Sequence, residues 1–182
     1  MKIKNLSVLV AVSMVAAICL GGCGSKDTEA EEMLQLSWRE FDQSPDTGWR
    51  PYAERGEYTR AVELIEYYLS NKEGLNQGEI GYSRFHAAVL CGYEDRYEDA
   101  VALLRQSSVD SLPEGFPQTW NALVKGTLGF ILKDMEAVRA ARDDIIVMPS
   151  LSSRDSSFLE ALEHLIAQEG MTYREATREW RE

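Results

Sequence analysis

The four-residue pattern Tyr-x-x-Ala recurs along this chain at a nearly fixed interval. It occurs at Tyr58–Ala61, Tyr97–Ala100 and Tyr173–Ala176. The first two copies are 39 residues apart and the second and third 76 apart, close to two further intervals. Near the midpoint of that longer gap stands Asp134-Met135-Glu136-Ala137, in the same phase with Asp where Tyr would be. A period between about 20 and 50 residues marks one supersecondary unit used repeatedly, each unit covering its apolar face with the next. Four units of about 38 residues fill nearly all of the chain beyond its N-terminal leader.

Within each unit the apolar residues follow the helical period. Tyr58, Ala61, Val62, Ile65, Tyr68 and Leu69 form one stripe, and Tyr97, Ala100, Val101 and Leu104 a second. Trp120, Leu123, Val124, Leu128 and Ile131 form a third, and Phe158, Leu159, Leu162, Leu165 and Ile166 a fourth. No segment sustains period-two alternation, so the fold class is all-α. Turn-forming residues separate the stripes at 71–78, 111–117 and 149–153. An earlier helix is predicted from Thr28, capped through Glu31, to about residue 42, where Ser44-Pro45-Asp46-Thr47-Gly48 stops it. Ala30, beside its start, is predicted to be exposed.

The segments Arg55-Gly56-Glu57-Tyr58-Thr59-Arg60-Ala61-Val62-Glu63 and Glu94-Asp95-Arg96-Tyr97-Glu98-Asp99-Ala100-Val101 resemble the opening of the second helix in the tetratricopeptide-repeat family. That resemblance implies an α-solenoid of roughly four antiparallel helix pairs. Ala61, Ala100, Ala137 and Ala176 would let paired helices approach, and Tyr58, Tyr97 and Tyr173 would fill the wedges between pairs. Ala87, Ala88 and Cys91 supply small residues at the expected crossing of the second pair, and Gly126 and Gly129 can serve in the third. The first pair is truncated, and the period exceeds the family's 34 residues. Binding surfaces in that family lie on the concave side. The resemblance would put Arg84, Asn121 and Lys125 there, the last two sharing a helix face. An ordinary solvated face is the competing reading.

The N-terminus has its own organisation. Lys2 and Lys4 precede a 15-residue apolar run from Leu6 to Leu20, short for a spanning helix and suited to a secretory signal. Leu20-Gly21-Gly22-Cys23 then resembles the bacterial lipobox, which implies cleavage before Cys23 and acylation of its thiol with palmitate-type chains. On this reading residues 1–22 are a signal peptide, 23–27 a lipidated tether and 28–182 the helical domain. The tether reaches only about 3.4 Å per residue, so the domain would sit near the bilayer of the cell envelope. Gly24 after the cysteine resembles an outer-membrane sorting context in a Gram-negative host.

The chemistry expected of the domain is binding. The net charge of -11 becomes -13 once the two leader lysines are removed, which disfavours nucleic acid and suits a protein or peptide partner with a neutral or basic surface. His86 and His164 are far apart in sequence and outside any ligand spacing, so no metal is expected. No phosphate loop or nucleophile motif is present, so neither a cofactor nor enzymatic activity is expected. Asp143-Asp144 reads as a solvated face, Cys91 as a packing cysteine, and Tyr67, Tyr68 and Tyr82 as core aromatics. The function that follows is a membrane-anchored interaction scaffold or assembly factor. The alternative is an envelope inhibitor or immunity protein that blocks its partner with an acidic surface.

Overall fold

The computed structural model describes residues 24–180. The expected signal peptide and the lipid-accepting Cys23 lie outside the described residues. All regular structure among the described residues is helical, with no strand. In chain order the elements are α1 (Gly24–Met33), a π-helical turn (Arg39–Gln43), α2 (Arg50–Glu54), α3 (Tyr58–Asn71), α4 (Gln77–Tyr93) and α5 (Tyr97–Arg105). They continue with α6 (Trp120–Ile131), α7 (Met135–Ile146), α8 (Ser153–Ala167), α9 (Tyr173–Ala176) and a 3-10 turn (Arg178–Trp180). None of these helices is long and apolar enough to cross a membrane.

The repeat is written into the backbone of the turns. Gly56, Asp95 and Lys133 have positive φ angles of 76°, 61° and 63°, and each stands two residues before the next helix begins. The following amide closes back five residues in each case. Glu57 N–H donates to the Tyr52 carbonyl at 2.9 Å, Arg96 to Cys91 at 2.9 Å and Asp134 to Gly129 at 2.8 Å. Three turns therefore share the Schellman geometry, in which one left-handed residue reverses the chain and satisfies an orphaned helical carbonyl. Asp and Lys adopt that conformation less readily than Gly, and here the flanking helices hold them in it.

Consecutive helices pack on one another from α2 through α8, α1 packs on α3, and α6 also meets α8. The short α9 reaches back onto α4. One continuous apolar core runs from Ala30 to Ala176. Ala61, Ala100 and Ala176 are all buried in it. Gly126 marks a close approach of three helices, since a Cβ there would lie 2.4 Å from Leu162 Cδ2 and 3.3 Å from Ala141 Cβ. Only a residue without a side chain lets α6 sit so near both neighbours.

Three local expectations change. The third unit is shifted by one residue: Asp134 is the N-cap of α7, accepting from the Ala137 amide, and Met135 opens the helix. Val138 is consequently fully buried where Ala61 and Ala100 are in their units, and Ala137 is half-buried. The helix expected from 28 to 42 is split. Ser37 and Glu40 exchange side-chain and backbone hydrogen bonds and start a new turn after α1 has ended. Helix α1 also begins at Gly24, inside the segment read as tether, and Ala30 is buried in the core.

Candidate functional site

Each of the three residues expected to face a partner has a partner in its own chain. The Asn121 side chain accepts from the Val109 amide at 2.9 Å and donates to the Val109 carbonyl at 2.8 Å. Arg84 Nη1 donates to the Gln106 carbonyl at 3.3 Å, so both residues hold the segment that follows α5. Lys125 Nζ lies 3.5 Å from Asp144 on α7, an exposed pair.

The structure brings a different set together. The start of α3, the turn before α5 and the C-terminal segment enclose an open groove of about 820 Å³. Tyr58, Asp95, Tyr97, Thr172, Arg174, Glu175 and Arg178 line it. The C-terminal segment is seated through Gly92: a Cβ there would stand 2.6 Å from Tyr173 Cδ1, so the bare glycine lets Tyr173 pack against α4. Tyr173 is buried and stacks on Tyr93, which in turn meets Tyr58 edge-on at 5.4 Å. Across the groove Asp95 accepts from the Tyr97 hydroxyl at 2.6 Å and pairs with Arg174 at 2.7 Å. Burial, with the bond to Asp95, raises the Tyr97 hydroxyl above its ordinary range. The repeat tyrosines thus divide: Tyr173 packs in the core, whereas Tyr58 and Tyr97 are half-buried and border the groove.

A second cluster escaped the sequence reading altogether. Asp42 in the π-helical turn is fully buried, and its Oδ1 accepts from Trp49 Nε1 at 3.2 Å and Ser83 Oγ at 3.0 Å. His86 Nδ1 lies 3.1 Å from the same oxygen, and Gln43 donates to Oδ2 at 2.5 Å. Trp38 Nε1 extends the network by donating to Ser83 Oγ at 3.0 Å. Burial alone would push the Asp42 carboxyl up, but the His86 charge and the bonds from His86, Gln43 and Ser83 outweigh it. The carboxyl is held below its usual range. Beside it, His86, Trp49, Arg50, Glu54, Tyr58 and Tyr93 line a cavity of about 280 Å³. His86 and Asp42 are 44 residues apart, so no local motif announces the pair.

The remaining chemical candidates fall into packing roles. His164 Nε2 is 2.7 Å from the Ala176 carbonyl and ties α8 to α9. Cys91 is buried, and burial pushes its thiol up to about 11, far from the thiolate that nucleophilic chemistry needs. Tyr68 stacks on Phe41 at 3.8 Å and Tyr82 on Trp120 at 4.4 Å. Among the described residues no group of three His, Cys, Asp or Glu side chains is placed to hold a metal ion.

No protein-family model matches the chain, and neither a curated protein nor a solved structure matches it.

Proposed function

We propose that the chain is a lipid-anchored, non-catalytic interaction protein of the bacterial cell envelope, its helices paired as in tetratricopeptide arrays. The groove between α3, α5 and the C-terminal segment seats an extended stretch of a protein partner. One observation carries this reading. Tyr58 and Tyr97, one repeat apart and each opening its helix, are left half-buried at an open groove rather than sealed in the core. Aromatic side chains with one wet edge are the residues most enriched at protein interfaces. Arg178 adds an exposed cation to the same rim.

The anchor half of the proposal rests on Leu20-Gly21-Gly22-Cys23 after the apolar run. The array half rests on the recurrent Schellman turns and on the alanines buried behind Tyr58, Tyr97 and Tyr173. The chain's strong acidity outside the groove favours a partner whose flanks are neutral or basic, so the complex weakens as salt rises.

Site-specific photo-crosslinking in membranes of the native host tests the groove. A crosslinker at Tyr97 should trap a discrete partner, and one at Glu160 on the exposed face of α8 should not. Adding Tyr58→Ala and Arg178→Glu to the Tyr97 crosslinker chain should weaken the adduct. Equal adducts at both positions, or an adduct indifferent to the two substitutions, would remove the groove from the interface.

A further inference from the structure

The cavity beside His86 presents a set of groups that the interaction role leaves unused. Asp42 takes the His86 Nδ1 side at 3.1 Å and fixes the ring, which is 17% exposed. Among the described residues, His86 Nε2 has no hydrogen-bond partner. Arg50 is fixed as firmly: its Nε donates to the Asp42 carbonyl at 2.8 Å, and its guanidinium lies 4.6 Å from the centre of the Trp49 ring. Its Nη groups have no partner among the described residues. Glu54, one helical turn further along α2, lines the same cavity and forms no ion pair among those residues. The walls are aromatic: Trp49 lies 5.1 Å from the His86 ring, and Tyr58 and Tyr93 meet edge-on at 5.4 Å.

We propose that this cavity binds a free α-amino acid with an aromatic side chain. The ligand's carboxylate sits on the Arg50 guanidinium, its ammonium on Glu54, and its ring among Trp49, Tyr58 and Tyr93. The charge pattern selects the class. One held guanidinium and one unpaired carboxylate, a helical turn apart, match a zwitterion rather than a simple anion or cation. Size points the same way, because about 280 Å³ falls at the lower edge of small-molecule sites and suits a single residue. A preformed second layer, the buried Asp42 with Ser83 and Trp49, keeps the histidine and arginine in place before the ligand arrives. The site stands apart from the proposed partner groove, although Tyr58 borders both.

Calorimetric titration of the mature lipidated chain in detergent micelles tests the assignment. L-phenylalanine should bind. Phenethylamine, which lacks the carboxylate, and 3-phenylpropionate, which lacks the ammonium, should each bind at least about tenfold more weakly. Glu54→Gln alters an exposed residue without an ion pair, so the fold should persist while L-phenylalanine affinity drops about tenfold and 3-phenylpropionate affinity does not. Arg50→Gln should show the converse selectivity, weakening both carboxylates and sparing phenethylamine. Absence of L-phenylalanine binding, equal binding of the three compounds, or wild-type affinity in Glu54→Gln would each overturn the proposal. The photo-crosslink at Tyr97 reads the partner groove separately, so either reading can fail alone.

Discussion

Replacing Asp42 tests how the N-terminal third is held to the rest of the molecule. The carboxylate sits in the π-helical turn, and its partners Ser83 and His86 are on α4. Asp42→Ala removes the shared acceptor of Trp49 Nε1, Ser83 Oγ and His86 Nδ1 in one step. Trp49 and Ser83 are buried and have no water to turn to, whereas the partly exposed His86 can rehydrate. Each orphaned buried donor costs about 1–3 kcal/mol, and breaking one side of a buried charged pair costs about 3–5 kcal/mol, so a loss of about 3–5 kcal/mol is expected. Asp42→Asn keeps an acceptor at the Oδ1 position but sets an NH₂ against Gln43 Nε2, and should lose only about 1–2 kcal/mol. At about 2–4 °C per kcal/mol for a domain of this length, the alanine variant should melt about 10 °C below the parent. Urea titration at pH 7 followed by circular dichroism gives the free energies directly. A loss below about 0.5 kcal/mol for Asp42→Ala would show that the network is incidental to stability.

Other perturbations probe the packing, the acid response and the anchor. Ala100→Trp, at a fully buried site, should cost at least about 1–3 kcal/mol, and Ala102→Trp, two residues along the same helix and exposed, almost nothing; indistinguishable melting curves would refute the helix register. Asp42 and Glu29 are both lowered, from ordinary values of 3.8 and 4.5, so the unfolded chain takes up their protons first as pH falls. Their contribution is therefore complete above about pH 5 and is lost on acidification through the folded values, and a urea midpoint that stays level between pH 5 and 3 would contradict the assignment. Cys23→Ser should abolish incorporation of a labelled lipid precursor and release the chain from its membrane anchorage, and label retained on the serine variant would exclude Cys23 as the acceptor.

Much of the helical layout was legible because its signals are local. Tyr58, Tyr97 and Tyr173 each open a helix, and the buried alanines three residues on follow from close helix contacts. The slip at the third unit has an equally local cause. Asp competes for backbone amides and favours the N-cap over the first helical turn, so Asp134 caps α7 and hands the opening position to Met135. Read that way, the buried residue is Val138, and Gly129 makes room for it: a Cβ at Gly129 would lie 3.3 Å from Val138 Cγ2. The break after α1 was also present in the sequence, as Ser37-x-x-Glu40, but the apolar residues that continue through it suggested an unbroken helix.

The sites were harder to read, because each depends on contacts between residues far apart in the chain. Nothing near Asn121 in sequence indicates that Val109 will occupy its amide, nor that a C-terminal turn will return to α4 and cover Tyr93. The Asp42 network left one usable trace. A buried indole must find an acceptor, and Trp38 and Trp49 flank Asp42 within twelve residues of one another. Two tryptophans around Glu40, Asp42 and Asp46 in a segment with an apolar face called for a buried acceptor between them, without saying which of the three it is. What the sequence could not supply was the far side of that contact. Ser83 and His86 lie three apart and so share a face of α4, and only the packing of the π-helical turn against that face turns an isolated histidine into one fixed by a buried carboxylate. The same docking leaves His86 Nε2 without a partner, beside Arg50 and Glu54, which is why the cavity and the network stand or fall together.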